Sequence, residues 1–562
     1  MRRGLVASIV MTVMLVACTV TEQPSPSSSG SGQAQPSSGA ESSEPTTGGG
    51  RLVVALTPPS VDTLLPWLGG HSINIQNEPA LETLIGIDPT TGDYIPQLAT
   101  DWELADDGRS WTFNLQQGVE FHYDFGEFTS ADVVKSWELL AGEDSISSNT
   151  QLWRDTVADV EAVGDYQVVF HLNDVFPDLD YFVSSAADLK MMSAAQFEAE
   201  GIDGMAERLA GTGPYRIVEF NLGESVLFEK APEHTYRLPE VDFDEIEFLF
   251  VREDSTRLAM LVSDPPQAHM AVLPRDLLAE AVDGHGMAQA QSSIGATPLW
   301  TIIGGLHYMT GEEGGAGTSP WNEPGESGRL VRQALAKAVN RDAINEFILH
   351  GSGDPMWLFP FHPTEDGWSD RWESEFDEMY GYDPDAAQAL LAEAGYPEGF
   401  PMRMFHTPAL EGAPELPQVA EAIALDFGAI GIDVELVTGD FSVIRENYVN
   451  RTTGEYLIPL RTNLRPIQGQ IRSQFSPHGN LHNYESDELY ALYLELGETV
   501  DPERRNEIAT EIGDHLYDNF ASISLFYLPS LMAYNPDVVG NYTWSGKGAS
   551  IWDDFASVEA AR

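Results

Sequence analysis

The chain has 562 residues, enough for roughly three or four domains, and its hydrophobic fraction of 42% is that of a folded globular protein. Acidic residues outnumber basic ones by 88 to 29, so the formal net charge is −59 at pH 7. Because a strongly negative surface repels polyanions, this charge argues against nucleic acid as a partner. The single cysteine, Cys18, excludes a disulfide within the chain and a thiolate metal cluster.

A targeting segment is predicted at the N-terminus. Arg2 and Arg3 precede an apolar run at 5–16, which is well short of the roughly 20 residues that a membrane-spanning helix needs. The run ends in Leu-Val-Ala-Cys at 15–18, which resembles the bacterial lipobox. We therefore expect a lipoprotein signal peptide over residues 1–17. The resemblance implies that Cys18 is lipidated and anchors an extracytoplasmic protein to the cell membrane.

Residues 18–50 are predicted to form a disordered tether, because Ser, Gly, Pro, Gln and Glu dominate and apolar side chains are almost absent. Folded sequence is expected from Arg51 onward. There an apolar run over 52–56 ends at Pro58 and Pro59, a pattern typical of a buried strand.

Between residues 106 and 137 the chain is predicted to form a turn, a strand and a helix. Asp107-Gly108 is a strong turn signal, and residues 111–115 alternate between apolar and polar as a half-buried strand does. Further along, Thr129 or Ser130 is placed to cap a helix whose apolar positions include Val133.

A glycine-rich loop, Gly211-Thr212-Gly213-Pro214, is followed by strand-like sequence at 216–220 and 225–230. A phosphate-binding loop is not predicted here. No Gly-Lys-Ser/Thr follows, and Pro214 removes a backbone N–H donor.

Two helices are predicted between residues 328 and 351. The first has an apolar face that includes Ala334 and Leu335, and the second begins near Asn340 and ends at His350-Gly351.

The stretch 382–400 specifies both ends of another helix. Asp383 is a good N-cap, Pro384 suits the first helical position, and Gly395 supplies the left-handed residue that ends the helix. The apolar face is predicted to comprise Ala386, Ala387, Leu390, Leu391 and Ala394. A helix over 419–427 and a strand over 431–436 are expected to follow.

The blocks at 96–134, 211–215, 328–353 and 382–400 resemble, in this order, the family 5 extracellular solute-binding proteins. These are the peptide- and nickel-binding receptors of ABC importers. The resemblance implies an α/β, two-lobed periplasmic-binding-protein type II fold with an additional inserted domain. Two features depart from the family pattern: Gln116, where the family usually has a basic residue, and extra residues at 123–125.

The same resemblance implies how the domains are divided. Domain I is expected to be discontinuous and domain II to be inserted into it, with domain III following. The expected limits are 51–90, 211–300 and 520–562 for domain I, 91–210 for domain II and 301–519 for domain III. Arg332 and Arg341 are expected to be structural, ion-pairing residues. The family has arginines at matching positions, so the resemblance implies that these two are not ligand contacts.

No enzyme, metal site or cofactor is predicted from the sequence. His478 and His482 are four residues apart, but Pro477 and Gly479 break any helix that would place them on one face. Ser352 lies in Gly-Ser-Gly and lacks the Gly-x-Ser-x-Gly spacing of a nucleophile elbow.

Ligand specificity is expected to depend on the window 456–470. Peptide-binding members of the family usually carry a tryptophan and then an aspartate here, and the aspartate pairs with the α-amine of the ligand. This chain has Arg461, Asn463 and Arg465 instead, and an arginine fork suits carboxylate, phosphate or sugar hydroxyls. A peptide with a free N-terminus is therefore less favoured. The alternative is that these arginines pair with the acids of the chain outside the cleft.

Four further residues are candidate ligand contacts because they lie in loops or after a strand beside the blocks that resemble the family: Tyr308, Trp321, Trp357 and His406. Together they suggest a stacking surface for sugars or flat organic ligands. The alternative is that each belongs to the core.

The resemblance implies a monomeric, lipid-anchored, extracytoplasmic component of an ABC importer. It would capture a peptide, sugar or organic anion by hinge closure and deliver it to the permease and ATPase subunits. A lipid-anchored ligand sensor without transport and a lipid-anchored hydrolase are the alternatives, and binding of nickel or a metal chelate is a further possibility within the family.

Overall fold

The computed structural model describes residues 49–562 apart from 60, 70–73, 148, 188, 233, 235, 237–239, 310–316, 408–412 and 480, with backbone alone at 441 and 442. The predicted signal peptide, Cys18 and the tether as far as residue 48 lie outside the described residues. Gly49 and Gly50, at the end of the predicted tether, donate backbone hydrogen bonds to the Asp242 carbonyl (2.8 Å) and the Asp244 carboxylate (3.1 Å).

Strands and helices are both present along the whole described chain. The strands are β1 (Arg51–Leu56), β2 (Ile85–Ile87), β3 (Tyr94–Pro96), β4 (Ala99–Leu104), β5 (Ser110–Leu115), β6 (Val157–Ala162), β7 (Gln167–Leu172), β8 (Tyr215–Asn221), β9 (Ser225–Lys230), β10 (Glu245–Phe250), β11 (Met270–Ala271), β12 (Ala288–Gln291), β13 (Thr297–Ile303), β14 (Leu306–His307), β15 (Asp354–Pro355), β16 (Pro401–His406), β17 (Asp433–Thr438), β18 (Tyr456–Arg461), β19 (Tyr484–Glu485), β20 (Ser522–Leu528), β21 (Leu531–Tyr534), β22 (Val539–Asn541) and β23 (Glu559–Ala560). The α-helices are α1 (Asn74–Asn77), α2 (Ser130–Ala141), α3 (Thr150–Thr156), α4 (Leu179–Phe182), α5 (Ala194–Glu207), α6 (Asp254–Val262), α7 (Arg275–His285), α8 (Glu326–Ala338), α9 (Arg341–Phe347), α10 (Asp370–Ser374), α11 (Phe376–Tyr380), α12 (Pro384–Glu393), α13 (Leu416–Ala429), α14 (Phe441–Val449), α15 (Ile467–Phe475), α16 (Asp487–Glu498) and α17 (Pro502–Asp518).

Three larger sheets organise these elements. A seven-stranded sheet has the order β12-β21-β11-β1-β10-β9-β8, and a six-stranded sheet has the order β15-β20-β13-β18-β16-β17. Both mix parallel and antiparallel pairs, since β1 runs parallel to β10 while β10 runs antiparallel to β9, and β16 runs parallel to β17 while β13 runs antiparallel to β18. A third sheet, β4-β5-β7-β6, is built from the segment between β3 and β8.

The chain passes between the two largest sheets at two adjacent connections. One is the β12–β13 connection, residues 292–296, and the other is the β20–β21 connection at residues 529 and 530. Their backbones are bonded to each other: the Ser292 N–H donates to the Ser530 carbonyl at 2.9 Å, and the Ser530 N–H donates to Ser292 Oγ at 3.0 Å. A pair of short connections of this kind can act as a hinge, because a few residues absorb the change in backbone angles.

The domain limits expected from the sequence stay a prediction, but the strand pairing bears on one of them. The expected domain I includes residues 520–562. Strand β20 lies in this range and pairs with β13 and β15 of the six-stranded sheet, whereas β21 pairs in the seven-stranded sheet. The connection at 529 and 530 is therefore the better boundary between the two sheets.

Helix α12 confirms the prediction made from its local sequence. The Asp383 side chain accepts a hydrogen bond from the Ala386 N–H at 2.9 Å, Pro384 is the first helical residue, and Gly395 has φ of +98°. Ala387 and Leu391 are buried. Local capping and one apolar face therefore account for this helix.

Two family blocks that are distant in sequence meet at His122. Its side chain is fully buried; Nδ1 accepts from the Gly211 N–H at 3.2 Å, and Nε2 lies 2.9 Å from the Gly213 carbonyl. A Cβ at position 211 would lie 1.9 Å from the Ala80 carbonyl oxygen, so glycine is needed there for close backbone packing. The glycine-rich loop thus has a structural role.

The stability of the protein is expected to fall on acidification because of His122. Burial lowers its pKa to about 4 in the folded protein, against an ordinary value of 6.5. The unfolded chain therefore binds more protons between these two pH values, so this contribution is complete above pH 6.5 and is lost as the pH falls towards 4. Its size is about 3 kcal/mol, from about 1.4 kcal/mol for each pKa unit.

This prediction is checked by denaturant unfolding of the wild type and a His122→Gln variant at about pH 7 and about pH 4. The variant should lose about 3 kcal/mol less stability than the wild type over this interval. Equal losses in the two proteins would show that His122 does not control the acid response.

No helix in the described part of the chain is long and apolar enough to cross a membrane.

Candidate functional site: a cleft between the two large sheets

A cavity of about 280 Å³ lies between the two-stranded sheet β2-β3 and loops that follow strands of the six-stranded sheet. One wall comes from β2, β3, α4 and the residues just after α4, and includes Ile87, Tyr94 and Tyr181. The opposite wall comes from the loop at 364–366 and from the segment between β18 and α15. Ligand sites favour such interfaces between domains, because closure can surround the ligand.

Arg465 is positioned in this cavity by the segment that follows β18. The Thr462 N–H donates to the Pro298 carbonyl at 3.0 Å and the Leu464 N–H donates to the Ala296 carbonyl at 2.9 Å, so the segment is fixed to the hinge connection and to β13. Pro466 then precedes the first residue of α15. Within the described part of the chain Arg465 has no hydrogen-bond or ion-pair partner, although the protein has many more acids than bases.

Carboxylates also line the cavity. Asp93 and Asp366 are in its wall, and their side chains have no hydrogen-bond or ion-pair partner among the described residues. Glu365 is different, since its carboxylate contacts the Lys547 ammonium from the opposite wall. The cleft therefore offers charges of both signs, with Arg465 and Asp366 in one wall and Asp93 in the other.

Burial and nearby carboxylates raise the pKa values of two groups in the part of the wall around Tyr94. Burial, then the charge of Asp180, raises the pKa of the Tyr94 phenol well above its usual value. Burial, then the charge of Asp178, raises the pKa of Asp180 to about 7.

Arg505 connects the two walls at one end of the cleft. Its Nη2 donates to Asp178 Oδ1 at 2.6 Å, and both Nη1 and Nη2 lie 3.3 Å from Gln468 Oε1. Asp178 belongs to the segment just before α4, whereas Gln468 is in α15, three residues after Arg465. The side chains of Arg505 and Asp178 are each only 14% exposed, so this ion pair is largely removed from water.

Two of the predicted contacts lie beside the cavity and brace its wall. Arg461 Nη1 donates to Asn463 Oδ1 at 2.6 Å, and Gln470 Nε2 donates to the Asn463 carbonyl at 2.7 Å. Neither Arg461 nor Asn463 is among the residues that line the cavity, whereas Arg465 is.

The other four candidates do not line this cavity, and two of them, Trp321 and His406, are buried while Tyr308 and Trp357 are half-buried. Trp321 is 1% exposed and donates to the Gly304 carbonyl at 3.0 Å, and His406 is 7% exposed and bonds Thr438 Oγ1 at 2.8 Å. Tyr308 donates to the Asn322 carbonyl at 3.2 Å, and Trp357 makes an edge-to-face contact with Trp368 at 5.7 Å. Their role as ligand contacts stays a prediction, and the burial of Trp321 and His406 favours the core alternative.

Among the described residues, no group of three or more His, Cys, Asp or Glu side chains is arranged to hold a metal ion. The two histidines considered from the sequence have separate partners. His478 Nε2 lies 2.6 Å from the Tyr490 hydroxyl, whereas His482 pairs with Glu485, which Arg451 also contacts at 3.0 Å.

A family model described as bacterial extracellular solute-binding proteins, family 5 Middle, matches residues 93–460. The chain belongs to this family. The family resemblance predicted from the sequence is confirmed. As a family 5 member, the chain is a solute-binding protein of a family that works outside the cytoplasm.

Individual relatives agree with this assignment. Heme-binding protein A of Haemophilus influenzae is 25% identical over 405 residues, covering 67% of this chain and 68% of the relative. The dipeptide-binding protein of Escherichia coli is 26% identical over 393 residues, covering 66% and 68%.

A solved structure shows the same fold. It is the ABC transporter-associated periplasmic binding protein DppA from Helicobacter pylori in complex with the peptide STSA. The similarity has a TM-score of 0.66 at 21% identity and covers 92% of this chain and 99% of that one. The predicted periplasmic-binding-protein type II fold class is confirmed.

Sequence reasoning missed Asp93, Asp366 and Lys547 as cleft residues. The rarity of lysine was a usable signal, because Lys547 is one of only five lysines in the chain. The two aspartates gave no signal, since they are two among 88 acidic residues.

Proposed function

We propose that this protein is the lipid-anchored, extracytoplasmic substrate-binding component of an ABC importer, and that its ligand is a small zwitterion or organic anion of the oligopeptide class. The observation that carries the proposal is the charge arrangement in the cleft. Arg465 lacks a partner among the described residues and faces the same cavity as Asp93 and Asp366.

The chemistry of these side chains favours a ligand with a carboxylate. A guanidinium binds a carboxylate through two parallel hydrogen bonds, and it does so more strongly in a cleft with little water. The aspartates provide partners for an ammonium group. A ligand with both a carboxylate and an ammonium group therefore suits the site better than the sequence of the window 456–470 alone suggests. A dipeptide-binding relative and a relative solved with a bound peptide support this class.

Hinge closure is the proposed capture mechanism. Contacts made across the cleft, such as Arg505 with Asp178 and Lys547 with Glu365, exist when the walls are together. A ligand that bonds both walls adds to these contacts and shifts the population towards the closed form. The closed form is then the one delivered to the permease, whose transport is driven by the ATPase.

The lipid anchor in this proposal rests on Arg2, Arg3 and the Leu-Val-Ala-Cys sequence at 15–18. A lipid on Cys18 would hold the folded part near the permease at the membrane surface. Monomeric action is proposed because one chain supplies both walls of the cleft.

The proposal is tested by identifying the bound molecule and then measuring closure. Mass spectrometry of small molecules released from the purified protein should yield an organic acid or a zwitterion. Small-angle scattering of the emptied protein should then show a smaller radius of gyration when that molecule is added back. A radius that does not change at saturation would contradict hinge closure, and a purely cationic ligand would contradict the proposed ligand class.

A further inference from the structure

A second, smaller cavity lies behind one wall of the cleft. Its volume is about 50 Å³, and Ile87 of β2 lines both cavities. The walls of this second cavity come from α1 and the residues after it, from β2 and β3, and from the C-terminal loop at 549–554. It contains no residue predicted to contact the transported ligand.

Acidic side chains outnumber basic ones among the described residues around this cavity. Glu78, Asp553 and Asp554 line it, and Lys190, which is 5% exposed, is the only basic residue in its wall among those that the structure describes. The Glu78 carboxylate is held by the backbone N–H groups of Asp554, at 2.8 Å, and Phe555, at 3.4 Å. Three carboxylates therefore face one ammonium in a confined space.

A buried asparagine provides a second, independent observation. Asn74 is 2% exposed and lines the cavity, and within the described part of the chain neither of its amide atoms has a hydrogen-bond partner. Asp553 Oδ1 is likewise buried without a partner there. Leaving a buried polar group unpaired costs about 1–3 kcal/mol, so these atoms require a polar occupant.

We propose that this cavity binds one monovalent cation together with water, and that the Asp553 carboxylate and the Asn74 amide oxygen are its protein ligands. A cation satisfies both oxygen atoms at once and offsets the excess of carboxylates. A water molecule, which takes about 30 Å³ in the liquid, completes the coordination and accepts from the Asn74 N–H group. The proposal does not depend on the proposed transport function.

Size and ligand chemistry favour a monovalent ion. Calcium takes about six to eight oxygen ligands, usually including several carboxylates. No group of three or more acidic or histidine side chains in the described residues is arranged for such an ion. A bound cation would fasten the loop at 549–554 to α1, directly behind the β2–β3 wall of the cleft.

The test compares thermal unfolding of the folded chain at about pH 8 and constant ionic strength in sodium chloride, potassium chloride and tetramethylammonium chloride. Sodium or potassium should raise the Tm saturably, by about 2 °C or more, relative to the bulky cation. General screening of the acidic surface is the same in all three salts. An equal Tm in all of them would overturn the proposal.

Variants of the cavity residues test whether the effect of the cation on the Tm arises at this cavity. Asp553→Asn should abolish most of the difference between sodium or potassium and tetramethylammonium. Asp174→Asn is the matched control, because this aspartate side chain is 90% exposed and should leave the difference unchanged. If Asp553→Asn fails to fold, Asn74→Leu removes the other ligand. A full cation effect retained in Asn74→Leu would also contradict the proposal.

Discussion

Replacing Arg465 with alanine is expected to weaken the binding of a carboxylate ligand by about ten- to one-hundredfold. Arg465 lines the cleft and has no partner among the described residues, so its guanidinium is available to a ligand. A hydrogen bond to a charged group contributes about 1.5–3 kcal/mol, and each 1.4 kcal/mol changes affinity about tenfold. The measurement is isothermal titration calorimetry with the molecule that copurifies with the protein.

Two further variants distinguish a residue that contacts the ligand from one that only supports the wall of the cavity. Arg465→Lys keeps the positive charge but loses the planar fork, so its loss of affinity should be intermediate. Arg461→Ala removes the bond to Asn463 beside the cavity and should have the smaller effect. If the double alanine variant at 461 and 465 binds as tightly as the wild type, neither arginine contacts the ligand.

Local signals made helix α12 predictable. Its N-cap, its first-turn proline and its terminal glycine act within a few residues of each other, so the sequence contains the whole physical cause. The same holds for β5, where the predicted alternation matches the structure, with buried residues separated by partly buried ones.

Longer-range packing could be recognised only through the family resemblance. His122 bonds the backbone at Gly211 and Gly213, about ninety positions further along, and no local pattern predicts that contact. Arg332 and Arg341 were expected to be structural, ion-pairing residues, and among the described residues they bond backbone carbonyls and no carboxylate. Arg332 donates to the Asn519 carbonyl at 2.8 Å and Arg341 donates to the Ser524 carbonyl at 2.8 Å.

The cleft itself shows why a site is harder to predict than an element. Arg465 was identifiable because the chain departs from the peptide-binding pattern in one short window. Asp93, Asp366 and Lys547 come from three segments that are far apart in the sequence, and they meet only because the chain crosses twice between the large sheets. Nothing in so acidic a sequence distinguishes Asp93 and Asp366 from the other acids, and only the rarity of lysine singles out Lys547.

Replacing Arg505 with alanine is expected to shift the ligand-free protein strongly towards an open form. Arg505 bonds Asp178 on one wall and Gln468 on the other. Removing one partner of a buried ion pair costs about 3–5 kcal/mol, because the other charge stays buried and unpaired. In the open form water solvates Asp178, so this cost applies to the closed form, and the closed population should fall at least about tenfold.

The distance between the walls measures this shift directly. Spin labels on Glu143→Cys and Glu373→Cys, both exposed positions in different parts of the chain, report it by double electron–electron resonance. Cys18 is the only native cysteine, so a Cys18→Ser background leaves the two labels alone. The Arg505→Ala sample should show a longer mean distance than the same doubly labelled protein with Arg505.

A neighbouring arginine provides the matched control. Arg504 pairs with Glu495, Glu507 and Glu511, all on the same helix pair, and its side chain is 39% exposed. Exposed ion pairs contribute little to stability, so Arg504→Ala should leave the distance unchanged.

Asp178→Asn completes a double-mutant cycle with Arg505→Ala. If the two residues act as one contact, the double variant should be no more open than the Arg505→Ala variant. The Asp178→Asn change removes the buried carboxylate charge, so opening no longer relieves an unpaired charge. Additive opening would instead mean that Arg505 acts through Gln468 and α15 alone. In that case Arg505 would set the position of the wall that contains Arg465. The ion pair that holds the two walls together would then be the one between Lys547 and Glu365.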